Sequence, residues 1–287
     1  MASSVDRSAR SPEPSAPSSP LIALQGLGQS PWHDNITRGL LVSRALKKMV
    51  LAGDITGLTS NPTIFEQAIS RGADYDADLA KLVRKGRSPD EIVDTLMVDD
   101  IRGAADVFLP VYKRTKGADG FVSIEVAPRF AHDTAATVRE AHRLWRAVHR
   151  PNLMVKIPAT KAGVPAIEQC IADGLSINVT LIFSLVRYAE VIDAYQRGLI
   201  RRAEAGKPID RISSVASFFV SRVDSAVDHA LDERLVGLHG EARRPLERLK
   251  GRAAIANAKL AYALFRRKFG EQRFKDLMRS GARVQRP

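Results

Sequence analysis

A chain of 287 residues, 45% hydrophobic and 26% charged, is long enough to bury a large core, and one α/β barrel would take up most of it. No apolar run reaches the ~20 residues needed to cross a bilayer, and the N-terminus lacks the apolar segment of a secretory signal, so a cytoplasmic protein is expected. The net charge of +12 raises nucleic acid as a partner, but residues 241–287 hold fourteen Lys or Arg against four Asp or Glu, so the excess is local.

Eleven of residues 1–20 are Ser or Pro, which leaves almost nothing to bury and predicts a disordered tail; residues 21–287 are expected to form one barrel domain. The Gly26-Leu27-Gly28 spacing lacks the third glycine of a dinucleotide fingerprint, and Pro31 stands where a helix should open. A turn into the first strand is the better reading. Strand-like runs follow at 31–36, 54–59, 120–126, 152–157, 176–182 and 212–219. Helical runs lie at 37–51, 62–69, 89–112, 133–149, 163–173, 185–205 and 222–235. The alternation predicts a parallel sheet, satisfied equally by an open doubly wound sheet and by a closed barrel. Further on, the basic excess decorates helices such as the one carrying Ala256, Leu260, Ala263 and Leu264 at helical spacing. A solvated basic face is the stronger reading there, and a nucleic-acid partner the weaker one.

Polar residues inside the strands favour a (β/α)8 TIM barrel. Period-two alternation sets Ser123 and Glu125 against Val122, Ile124 and Val126, and it puts Lys156 on the face of Met154. It also sets Ser176, Asn178 and Thr180 against Ile177, Val179 and Leu181, and gives Ser213, Val215 and Ser217 a common face. Each strand thus has one apolar face and one that turns polar near its C-terminal end, as expected where strands run into catalytic loops.

Lys156, within Leu153-Met154-Val155-Lys156-Ile157-Pro158, is the sharpest chemical signal. Burying an ammonium is costly, and an apolar setting favours the neutral, nucleophilic amine. A lysine paired to a barrel carboxylate, or one reaching solvent at a strand end, explains the same pattern equally well. Glu125 and Asp34 occupy comparable places in other strands, and Asn178, Thr180 and Ser217 add amide and hydroxyl groups. Asn61, followed by Pro62, reads as a helix cap at least as readily as a ligand. The six histidines show no metal-ligand spacing, and His142 and His149, seven apart, read as an ordinary helix pair. Cys170, the single cysteine, reads as helix core; it allows no internal disulfide and fits a reducing compartment.

From about Ser30 onward the chain resembles the transaldolase family. The resemblance rests on Leu58-Thr59-Ser60-Asn61-Pro62-Thr63, Val122-Ser123-Ile124-Glu125-Val126, Met154 to Thr160, Ile177 to Ser184 and Ser217 to Asp224, five blocks in order. It implies a Schiff-base mechanism with no metal and no cofactor, on sugar phosphates such as sedoheptulose 7-phosphate and glyceraldehyde 3-phosphate. By resemblance Lys156 would attack the ketone, Asp34 would act as acid and base in carbon–carbon cleavage, and Glu125 with Thr180 would hold a water and shuttle protons. Asn61 and Asn178 would bind hydroxyls of the retained three-carbon unit, Ser217 would line the pocket, and Arg222 would pair with the phosphate.

Six strands are two short of a closed barrel, so about 60 residues, two β/α units, are expected to be missing. An unclosed sheet would expose an edge to another chain, as in a homodimer, and the chain expressed alone is expected to be poorly soluble and weakly active or inactive. Two rivals remain open. A Schiff-base aldolase would release free dihydroxyacetone without an acceptor, whereas a non-catalytic basic protein would show salt-dependent nucleic-acid binding and no turnover.

Overall fold

In the computed structural model, which describes residues 19–287, six parallel strands pair in chain order, with no reversal anywhere in the sheet. They are β1 (Trp32–His33), β2 (Gly57–Leu58), β3 (Val122–Glu125), β4 (Leu153–Pro158), β5 (Ile177–Ile182) and β6 (Ser214–Phe218). A doubly wound sheet reverses its strand order at a switch point; uninterrupted sequential order is how a barrel wall is laid down. The architecture is therefore α/β, an arc of parallel strands of the TIM-barrel kind. Residues 1–18 of the expected tail lie outside the described residues.

The helices in chain order are α1 (Pro20–Gly26), α2 (Arg38–Val42), α3 (Ala45–Ala52), α4 (Pro62–Arg71), α5 (Asp76–Arg84), α6 (Pro89–Arg114) and α7 (Thr134–Val148). They continue as α8 (Gly163–Asp173), α9 (Leu185–Glu204), α10 (Ser221–Leu235), α11 (Arg244–Glu247), α12 (Ala253–Gly270) and α13 (Gln272–Arg279). Their starts follow from local chemistry. Ser88 and Glu91 form a reciprocal capping box around Pro89, Asp133 caps α7 through Ala136 N, and Ser184 caps α9 through Arg187 N. Gly174, at φ 102°, closes α8 in the left-handed conformation that glycine adopts without strain.

The core lies between the sheet and the helices. Val122, Ile124, Val155, Ile157, Ile177 and Val179 are buried with Ala141, Ile167, Cys170, Tyr188, Ile192 and Tyr195. All six residues of β4 are buried, the pattern of a strand covered on both faces. A polar cluster near the β1 end ties α2 to α6: Arg38 donates to Asp100 and pairs with Asp78, while Tyr75 Oη donates to Asp100 Oδ2 at 2.7 Å. At the far edge, Ala216 N donates to Arg286 O at 2.7 Å, and Val215 bridges Arg286 in parallel. Gln285 is fully buried there, donating to Ser214 Oγ at 2.8 Å.

Several sequence expectations need correction. The helix expected over 37–51 is two helices, because Arg44 sits at φ 59° and breaks the turn between α2 and α3. Pro20, the last residue of the expected tail, opens helix α1, which runs into the expected turn as far as Gly26. On α12 the buried stripe is Ala254, Ala261, Leu264 and Phe269, whereas Ala256, Leu260 and Ala263 are exposed. The true stripe holds the period but is rotated away from the expected one. Leu181 does not continue the apolar face of β5: the β5–β6 register shifts between Val179 and Ile182, and Leu181 is left at φ 59° and 36% exposed.

Candidate active site

Backbone register places three polar side chains in one row across the sheet. Glu125 on β3 is opposite Lys156 on β4, and Lys156 is opposite Asn178 on β5. Partners in register share a sheet face, so the row is fixed by the strands themselves. Lys156 is 8% exposed. Its Nζ lies 3.3 Å from Glu125 Oε2 and donates to Ser60 O at 3.3 Å. The carboxylate pairing left open by the sequence is thus present, in a setting that also shields the amine. Burial pushes the Glu125 carboxyl above the usual carboxylate range, against the opposing pull of Lys156 and Arg222.

Asn178, 2% exposed, has its amide held at both ends. Its Nδ2 donates to Ser123 Oγ at 3.0 Å, and its Oδ1 accepts from Ser217 Oγ at 3.0 Å. The two serines therefore hold the amide from both ends. Thr180 is buried two residues further along β5, opposite Pro158, where its carbonyl accepts from Ala159 N at 2.8 Å.

The remaining candidates stand around this row. Asp34 follows β1 directly and is exposed. Asn61 caps α4, its Oδ1 accepting from Ile64 N at 3.0 Å, so the cap reading holds for that atom; its Nδ2 has no hydrogen bond among the described residues. Arg222 is exposed in the first turn of α10, with its guanidinium 4.8 Å above the Phe219 ring, and Phe219 in turn meets Phe183 at 5.0 Å. Glu125, Lys156, Asn178 and Ser217 thus sit in one polar cluster. Asp34, Asn61, Thr180 and Arg222 lie within or just beyond the C-terminal ends of β1, β2, β5 and β6, with no side-chain hydrogen bond to that cluster among the described residues.

Sequence reasoning puts Ser123 on the polar strand face but gives no site role to it or to three other polar groups here. Ser60 and Ser123 join the cluster, Ser60 Oγ donating to Ser123 O at 2.8 Å. His33 Nε2 and Thr59 Oγ1 are buried without partners among the described residues, on segments joined by a 2.8 Å bond from Thr59 N to His33 O. Their signal was their position, immediately before Asp34 and Ser60 at strand ends. By contrast, His142 is engaged with Asp173 at 2.8 Å, and burial pushes the Cys170 thiol up to about 12, so neither offers chemistry at the site.

Among the described residues no helix is long and apolar enough to cross a membrane. Residues 31–279 match the family model described as Transaldolase/Fructose-6-phosphate aldolase. Over 268 residues the chain is 48% identical to a transaldolase of Mycobacterium tuberculosis (strain ATCC 25618 / H37Rv), covering 93% of this chain and 70% of that protein. A transaldolase of Mycobacterium leprae (strain TN) is likewise 48% identical over 268 residues, with the same coverage. A transaldolase of Trichodesmium erythraeum (strain IMS101) is 46% identical over 267 residues, again covering 93% and 70%.

Proposed function

Because the chain belongs to the transaldolase/fructose-6-phosphate aldolase family, we propose that it is a transaldolase acting in the pentose phosphate pathway. It moves a dihydroxyacetone unit from a ketose phosphate such as sedoheptulose 7-phosphate to an aldose phosphate such as glyceraldehyde 3-phosphate. The observation that carries this reading is the Lys156 amine, buried on β4 between the Glu125 carboxylate and Asn178.

In this mechanism Lys156 Nζ forms a bond to the ketone carbon while the ketone oxygen takes a proton, and water then leaves to give a protonated imine. Glu125, with Thr180, holds the water and passes the protons; a carboxyl raised by burial is suited to both giving and taking one. Asp34 removes the proton from the C4 hydroxyl. The C3–C4 bond breaks, its electron pair moves toward the imine nitrogen, and the aldose phosphate departs. Asn61 and Asn178 hold hydroxyls of the retained unit, Ser217 supports the pocket beside Asn178, and Arg222 takes the phosphate in its guanidinium fork. The retained carbanion then attacks the acceptor aldehyde, and water releases Lys156.

The six strands fit an arc of a (β/α)8 barrel, with residues 21–287 as one domain, working in the cytoplasm on small sugar phosphates. A homodimer is part of the same proposal. A Schiff-base aldolase releasing free dihydroxyacetone is the second reading, since the matched family model spans both activities. Product formation with and without an acceptor aldose separates the two.

The test is borohydride trapping with fructose 6-phosphate followed by peptide mass mapping. An adduct on the peptide containing Lys156 is expected, and labelling elsewhere overturns the assignment.

A further inference from the structure

We infer that Ser60 is a positioning residue that aims the Lys156 amine at the incoming ketone, a role that rests on the Schiff-base reading above. Ser60 follows β2 and is 1% exposed. Its carbonyl accepts from Lys156 Nζ at 3.3 Å, while its hydroxyl is turned away and donates to Ser123 O at 2.8 Å. A neutral primary amine has two N–H bonds and one lone pair. In the neutral form that attacks, an N–H held by Ser60 O, with Glu125 Oε2 3.3 Å from the nitrogen, confines the lone pair to the directions these two contacts leave free. That is the orbital that must meet the carbonyl carbon.

The two acceptors differ in stiffness. Glu125 reaches Lys156 through a side chain that can change rotamer, whereas Ser60 offers a backbone carbonyl pinned by its own hydroxyl to β3. The same residue of β3, Ser123, receives the amide of Asn178, so nucleophile and hydroxyl-binding amide are referred to one point on the sheet. Removing the Ser60 hydroxyl frees the carbonyl to swing, deprives the amine of its firm tether, and spreads the lone pair over directions that do not lead to attack.

The full chain and its Ser60→Ala, Ser60→Thr and Lys156→Met variants are incubated with fructose 6-phosphate and borohydride. Adduct formation is followed by intact mass across substrate concentration. Ser60→Ala is expected to lower the maximal trapping rate about tenfold with little change in the half-saturating concentration, and Ser60→Thr, which keeps the hydroxyl, to restore it. Thermal melts normalise each rate to folded protein, so a purely structural loss leaves the normalised rate unchanged. An unchanged maximal rate in Ser60→Ala, an effect on half-saturation alone, or a folded Ser60→Thr that fails to restore the rate overturns the inference while leaving Lys156 as nucleophile. No Lys156-dependent adduct in the unsubstituted chain defeats the Schiff-base reading and this inference with it.

Discussion

Glu125 and Lys156 face each other across β3 and β4, so their 3.3 Å separation is set by backbone register and not by the conformation of a loop. The pairing makes the pH dependence of stability specific. The folded-state pKa of Glu125 lies above the ordinary 4.5 because burial outweighs its neighbours' positive charges. Its contribution to stability is therefore full at low pH and lost as pH rises through the folded value. Denaturant unfolding from about pH 4 to about pH 8 should show Glu125→Gln gaining on the unsubstituted chain as pH rises. A relative loss over that range would contradict the assignment.

Lys156→Met should abolish imine trapping and reduce sugar-phosphate exchange by at least about a thousandfold, since no other amine is presented on that strand. The melt should shift by only a few degrees, because Met fills a similar volume and Glu125, already raised by burial, can take a proton once its partner is gone. Calorimetry beside the exchange assay checks both halves.

Arg222→Ala should raise KM for fructose 6-phosphate on the order of tenfold to a hundredfold while changing kcat little, the signature of a lost phosphate contact. Unphosphorylated fructose should react at a nearly unchanged rate. Equal losses on both sugars would place Arg222 in the chemistry and remove it from phosphate binding.

Gly198 on α9 lies against α8, and a Cβ there would come within 2.7 Å of Glu168 O and 2.8 Å of Ile171 Cβ. Alanine gains about 1 kcal/mol of helix propensity at an exposed site, but here the helices must separate. Gly198→Ala is expected to cost about 1–3 kcal/mol, read as a lower urea midpoint. A raised midpoint would mean that α8 and α9 can move apart without penalty.

Much of this was legible in the sequence wherever a period or a cap decided the outcome. The 163–173 helix was placed to the residue. The polar face of Ser123, Glu125, Lys156 and Asn178 was readable because strand alternation needs no knowledge of tertiary contacts. Leu181 was misplaced because a register shift adds a residue that only the neighbouring strand reveals. Ser60 and Ser123 were passed over as pocket groups because their value lies in bonds to residues far along the chain, which local spacing does not encode. The α12 face was misassigned for a related reason. Alanine at helical spacing suits burial and exposure alike, so the neighbours that cover Ala254 and Ala261 choose the stripe.

Since the sheet is laid down in chain order, every strand docks on the one made just before it. Pairing in chain order keeps each connection as short as its crossover helices allow, and so asks less of the chain's entropy than pairings between more distant segments. During synthesis Glu125 can meet Lys156 as soon as β4 has emerged, and Asn178 joins one unit later, with Ser217 after it. The polar row is thus assembled from one side to the other as the polypeptide grows, and a pause in translation after β4 would leave a nascent chain already carrying Lys156 and the carboxylate beside it.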